Sequence, residues 1–192
     1  MKRTTQSPKF HWEELPSSID NNIYSNAYYG FRVSFPQTWT ISTTSEFVID
    51  AERDEVDMHI TGFVVPPGYE ASTQLELLGR SITSTLTERY ISKGYGIADL
   101  IHASYDNYRQ TYASYASYPF YFVNMTLVDS ETGESIFNDV RILIQNKSSF
   151  YELSLYFPSS HFDDKERSDA VWSEIWDEIV PSISFTQKTK SN

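Results

Sequence analysis

Residues 118–158, YPFYFVNMTLVDSETGESIFNDVRILIQNKSSFYELSLYFP, decide the fold. Three apolar runs lie in this stretch, at residues 118–128, 136–144 and 150–157. They are rich in aromatic and β-branched side chains, which suit a pleated, half-buried surface. Ser130-Glu131-Thr132-Gly133 joins the first two and offers a glycine for the positive φ of a hairpin loop. Asn146-Lys147-Ser148-Ser149 turns the chain between the last two. Connections this short join antiparallel strands, because parallel pairing needs a long crossover. The stretch is therefore an antiparallel meander, and Pro158 ends it, since proline has no N–H to give to a ladder.

Helices are expected on both sides of the meander. Downstream, Val171, Trp172, Ile175, Trp176, Ile179 and Val180 fall on one helical face, and Glu174, Asp177 and Glu178 on the other. Asp163 is expected to cap this helix with Glu166 three residues on, and Pro181 to end it. Upstream, Leu75, Leu78, Ile82, Leu86 and Tyr90 recur at helical spacing, which predicts a helix over 73–92 with Thr73 as its cap. Gly94 and Gly96 stop it, and residues 97–105 return to a strand pattern. Further upstream, Tyr29, Phe31, Val33 and Phe35 alternate with polar residues, the period of a strand with one buried face. Short strands follow at 47–49 and 58–65, separated by a charged turn over 50–57. The expected class is α+β, an antiparallel sheet of about six to seven strands flanked by two main helices. Residues 1–22 read as a polar arm, 23–186 as a single domain and 187–192 as a polar tail.

Composition narrows the function. The net charge of −11, with 15 basic against 26 acidic residues and no basic run, disfavours nucleic acid and adsorption to anionic lipid. A basic partner surface or a cation is compatible with it. With no cysteine, thiolate metal sites, disulfides and cysteine nucleophiles are excluded. No stretch approaches the roughly 18 apolar residues of a transmembrane helix. Residues 1–7 have a basic start but no apolar h-region. Met1 as the native start implies the cytoplasm, and a removed leader an extracytoplasmic, lipoprotein-like location.

Residues 24–39, YSNAYYGFRVSFPQTW, resemble the opening of PsbP-like domains, with an asparagine, a Tyr-Gly-Phe strand and a Pro-x-x-Trp turn. The end, a strand to Pro158, a helix and Val180-Pro181-Ser182-Ile183-Ser184-Phe185, is similar to the close of the same domains. The resemblance spans residues 24–186 and implies an α/β/α sandwich. It also implies a binding or assembly role without catalysis, as in PsbP itself, a Ran-binding import factor, DcrB-type lipoproteins of bacteria and chaperones of type VI secretion effectors. No functional residue carries over with it.

Motifs of chemistry are sparse. His11, His59, His102 and His161 stand in no zinc-ligand spacing. Gly94-Tyr95-Gly96 follows a helix, whereas a dinucleotide fingerprint follows a strand. No Gly-x-Ser-x-Gly elbow is present. Asp50, Glu52, Asp54, Glu55 and Asp57 offer hard oxygen ligands of the kind calcium takes, but without the glycine and spacing of an EF-hand loop. A solvated hairpin tip explains them as well. Asp163-Asp164 suits a helix cap better than an acid–base dyad. The series Tyr105, Tyr108, Tyr112, Tyr115, Tyr118 and Tyr121 is read either as rings over the core or as a contact surface.

These observations lead to a non-catalytic binding or assembly module, with a protein partner and no cofactor or metal. Tyr108, Tyr112 and Tyr115 are the candidate partner surface. The alternatives are a secretion-effector chaperone with an apolar groove, or a small hydrolase with a site assembled from distant residues. Oligomeric state is left open.

Overall fold

The computed structural model describes residues 17–26, 30–45, 48–64, 71–104, 118, 120–146 and 149–185. Strands β1 (Ser17–Asp20), β2 (Ile23–Asn26), β3 (Phe31–Ser34), β4 (Thr40–Ser45), β5 (Val48–Arg53) and β6 (Val56–Val64) come first. Helix α1 (Ala71–Ser92) follows, then β7 (Tyr95–Ser104), β8 (Phe120–Asp129), β9 (Ser135–Asn146) and β10 (Ser149–Pro158). The chain closes with α2 (Ser159–Asp163), α3 (Lys165–Ser173), a π-helical turn (Glu174–Ile179), a last helical turn (Val180–Ser182) and β11 (Ser184–Phe185).

The strands form two sheets with antiparallel neighbours throughout. The main sheet runs β4-β5-β6-β10-β9-β8-β7, and the small one β1-β2-β3-β11. The meander expected from residues 118–158 is β8-β9-β10. Helix α1 carries the chain from β6 to the far edge, where β7 pairs with β8, and the meander walks back until β10 meets β6.

Each face of the main sheet has its own core. On one, Val140, Ile142, Leu153, Leu155 and Phe157 pack against Val171, Ile175 and Ile179 of the C-terminal helix and against the small sheet. On the other, Tyr121, Val123, Met125 and Leu127 of β8 meet Leu75, Leu86 and Tyr90 of α1. Helix α1 lies close because residue 79 is glycine: a Cβ there would stand 2.2 Å from Cδ1 of Tyr121.

The PsbP-like end motifs are structural clamps. Asn22 Nδ2 donates to the carbonyls of Pro36 (3.0 Å) and Trp39 (3.3 Å), tying the Pro-x-x-Trp turn to the β1–β2 hairpin. Trp39 Nε1 reaches Glu174 of the C-terminal helix at 2.8 Å. Ser182 Oγ accepts from the Ser34 amide (2.9 Å) and donates to the Ile179 carbonyl (2.7 Å). Together with β11 on β3, these bonds pin the small sheet to the helix.

Several sequence expectations are corrected. Residues 17–20, inside the segment read as an arm, pair with β2 as a strand. The second sheet was not foreseen. The charged turn expected over 50–57 shrinks to Asp54 and Glu55, both at positive φ (51° and 69°), a tight hairpin turn of matching twist. The flanking acidic residues belong to β5 and β6. Thr73 lies inside α1 and not at its start. The cap of the last helix is Asp164, whose Oδ1 accepts from the Arg167 amide at 3.1 Å, because Asp163 ends α2 instead. Pro181 sits within the last helical turn, which continues to Ser182.

Candidate functional site

Helix α1 packs over β7, β8 and β9, and the core beneath it takes in Phe150 at the start of β10. The rest of that face is mostly polar among the described residues, with Val48 and the buried Phe150 at one end. Strand registers place its side chains in rows: Thr40 and Ser42 on β4, Glu52 and Asp50 on β5, Asp57, His59 and Thr61 on β6, and Tyr156, Ser154 and Glu152 on β10. Directly opposed residues in an antiparallel pair project to the same face. The alternate residues of these strands, such as Ile49, Met58, Ile60, Leu153 and Leu155, fill the opposite core. Burial on that side therefore fixes which residues face outward here.

The boundary between the covered and uncovered halves is a buried ionic network. Asp139 is 0% exposed and Arg141, two residues on along β9, is 7% exposed. Arg141 grips Asp139 with two bonds, Nε to Oδ1 at 2.5 Å and Nη2 to Oδ2 at 2.8 Å. Tyr90 of α1 donates its hydroxyl hydrogen to the same carboxylate. The guanidinium also reaches Glu152 (2.8 Å) and the Tyr156 hydroxyl (2.6 Å), and it donates to Ser154 Oγ. Every donor nitrogen of Arg141 is thus engaged within the protein. Burial disfavours its cation, but the bonds and charge of Asp139 overcome this and hold the guanidinium protonated. Burial raises the Tyr90 hydroxyl, and the Asp139 carboxylate raises it further. Burial likewise raises Tyr156. Both phenols stay protonated and serve as donors or dipoles.

Next to this network lies a shallow depression of about 120 Å³ lined by Thr40, Ser42, Asp50, Glu52, Asp57 and His59. His59 Nδ1 stands 2.5 Å from Asp50 Oδ1, and the imidazole meets the Tyr156 ring edge-on at 5.8 Å. Asp50, His59 and Ser154 stand side by side on three neighbouring strands, the residue types of an acid–base–nucleophile row. Nucleophilic chemistry needs the serine hydroxyl bonded to the imidazole. Here Ser154 Oγ donates to Glu152 at 3.1 Å and accepts from Arg141. The row is a polar platform and not an assembled triad.

The acidic run of the β5–β6 hairpin divides. Asp50, Glu52 and Asp57 share the open face, while the turn is latched to the C-terminal helix by Arg167, which donates to the Asp54 carbonyl and lies 3.6 Å from Glu55. Among the described residues no cluster of histidine and carboxylate groups has the geometry to hold a metal ion. His161 is buried against Phe157 with ring centroids 5.6 Å apart, and burial pushes its imidazole below the ordinary 6.5. His11 and the His102 side chain lie outside the described residues, as do Tyr105, Tyr108, Tyr112 and Tyr115. Of the same tyrosine series, Tyr121 is buried under α1 and Tyr118 meets Phe185 edge-on at 4.5 Å. Between the two sheets, Tyr24, Phe31, Ile49, Ile60 and Tyr151 line about 10 Å³, room for about one water and too little for an effector helix.

Asp139, Arg141, Glu152 and Ser154 were not singled out from the sequence. Their signal is nonetheless present, because each pair sits at i, i+2 beside buried apolar residues of its strand and so shares one face. A buried charge must be paired, so such a spacing points to a partner across the sheet.

The chain is similar in structure to cyanobacterial PsbP (CyanoP) from Synechocystis sp. PCC 6803, with a TM-score of 0.53 and 13% identity over 85% of this chain and 91% of that one. A crystal structure from Bacteroides thetaiotaomicron VPI-5482 aligns with a TM-score of 0.43 and 11% identity, over 85% of this chain and 47% of the other. No family model matches the chain, and no curated protein matches it. The fold is PsbP-like, as the two end motifs implied.

Proposed function

We propose that this protein is a non-catalytic binding or assembly module that docks a protein partner on the half of its main sheet that no described element covers. The observation that carries this reading is the half-covered face. Helix α1 covers β7–β9 and its core takes in Phe150 of β10, and beyond that, among the described residues, the sheet offers a row of mostly polar side chains whose orientation is fixed by the core beneath. Flat polar platforms of this kind suit a protein surface better than a small substrate, which is held in a deep, mostly apolar pocket. The engagement of Ser154 by Arg141 and Glu152 weighs in the same direction, against a hydrolase. Tyr108, Tyr112 and Tyr115 are proposed as a second contact, because tyrosine brings large contact area at low entropic cost.

Photo-crosslinking tests the reading. A benzophenone amino acid placed at Ser42 or Thr61 is expected to give a discrete protein adduct in the native host, and one placed at Glu131, in the β8–β9 loop, none. Absence of an adduct from both open-face positions overturns the proposal. Alanine at Tyr108, Tyr112 and Tyr115 is expected to weaken the same adduct.

A further inference from the structure

We propose that the partner presents an extended basic segment, which adds as a strand outside β4 and turns its lysines or arginines onto the carboxylates of β5 and β6. This inference rests on the docking reading above and supplies the chemistry of the occupant.

The edge and the face point to the same ligand. Strand β4 ends the main sheet, and no described strand pairs with its outer side. An edge strand presents unpaired N–H and C=O groups that can template another strand. Natural edges are commonly guarded by lysine or proline, and Thr40–Ser45 (TISTTS) contains neither. Its irregularity lies at the far end, between Thr43 and Ser45, so the part opposite Ala51, Glu52 and Asp50 is regular. The outward side chains Thr40 and Ser42 are small and exposed, and they leave the next row accessible from the edge.

That next row is acidic. Glu52 and Asp57 are exposed, Asp50 is half-buried, and Glu152 lies one strand further in. Two basic side chains share the face. Arg141 is wholly engaged by Asp139, Glu152, Ser154 and Tyr156. The other is His59, which spends its Nδ1 on Asp50. Glu52 and Asp57 form no ion pair among the described residues. A strand laid outside β4 would lie about 5 Å from it and project alternate side chains to this face. Long cationic side chains at i, i+2 and i+4 of such a strand would cross over Thr40 and Ser42 to Glu52 and Asp50. Backbone pairing supplies affinity in this mode, and the alternating charges supply register and selectivity.

The test uses a fluorescein-labelled decapeptide of alternating lysine and threonine, its glutamate–threonine counterpart, and fluorescence anisotropy with the full chain. The lysine peptide is expected to bind and the glutamate peptide not. Asp50→Asn with Glu52→Gln and Asp57→Asn should weaken binding at least about tenfold. Glu52→Gln with Asp57→Asn, which leaves the Asp50–His59 bond in place, should weaken it severalfold. Glu131→Gln with Glu134→Gln and Glu178→Gln, an equal change of net charge elsewhere, should change it less than about twofold. Amide exchange of β4 should slow when the peptide is bound. Equal losses in the two triple variants, or binding without protection of β4, overturn the proposal, as does failure of the lysine peptide to bind. A crosslinked partner at Ser42 with no lysine-peptide binding would sink this inference alone, whereas silent crosslinks at Ser42 and Thr61 would sink the docking reading itself.

Discussion

One face of the main sheet has two halves of opposite character. Over β7–β9, α1 seals Tyr121, Val123, Met125 and Leu127 beneath Leu75, Leu86 and Tyr90. Over β4–β6, the same face carries Thr40, Ser42, Asp50, Glu52, Asp57, His59 and Thr61. The strands run in one ladder, and β5, β6, β8, β9 and β10 bury their opposite faces in a common core. What differs is coverage, and residue type follows it. An antiparallel sheet can leave one face in water, so the sequence of each strand records whether something lies over it. The transition falls on Asp139 and Arg141, where the charges of the open half are carried under the edge of the helix and paired.

Energetics should separate the halves. The largest effect is expected at the boundary: Asp139→Ala leaves Arg141 buried without its bidentate partner and should lower unfolding free energy by about 3–5 kcal/mol in denaturant titration. A change under about 1 kcal/mol would show that water reaches the network and that the boundary is not sealed. Next comes the contact of α1 with the sheet. Gly79→Ala drives a methyl into the Tyr121 ring and should destabilise by about 1–3 kcal/mol despite alanine's better helix propensity. A stabilised variant would mean that α1 can lift from β8 at little cost.

The opposite face, covered by the C-terminal helix, adds a smaller, pH-dependent effect through His161. Burial lowers its folded pKa below the ordinary 6.5, so the native state binds fewer protons than the unfolded one. Its contribution is complete above about pH 6.5 and is lost as pH falls through the folded pKa. His161→Gln should flatten the slope of stability against pH in that window, and an unchanged slope would assign it to other groups. The smallest effect is expected on the open half. Glu52→Gln with Asp57→Asn touches exposed side chains and should change stability by no more than about 0.5 kcal/mol. A large loss there would mean that the acidic face is held by contacts within the chain, which would erase the contrast between the halves.

Much of this was legible in the sequence. The meander, the two helices and the end motifs rest on local patterns: alternation in residues 150–157, the helical stripe from Leu75 to Tyr90, and short turns that leave only antiparallel pairing. The turn expected over 50–57 is longer than the real one because charge marks an exposed face and not necessarily a loop. Asp50, Glu52 and Asp57 are strand residues whose face is open, and only Asp54 and Glu55 turn. The β1 strand is not legible because its one apolar residue, Ile19, among three polar ones makes no alternation, and the strand is held by its hairpin partner.

By itself, the sequence determined the class, the order of the central elements and the absence of thiol chemistry. These depend on composition and on neighbours a few residues apart. Tertiary structure alone decided that β10 pairs with β6, that β11 closes a second sheet on β3, and that α1 shelters one half of a face and leaves the other open. It also decided that His59 meets Asp50 and that Arg141 meets Glu152 and Tyr156. Such pairings are set by how distant strands register so that their apolar sides share a core, and the polar residues on the reverse side are brought together by that burial without any local pattern to announce it.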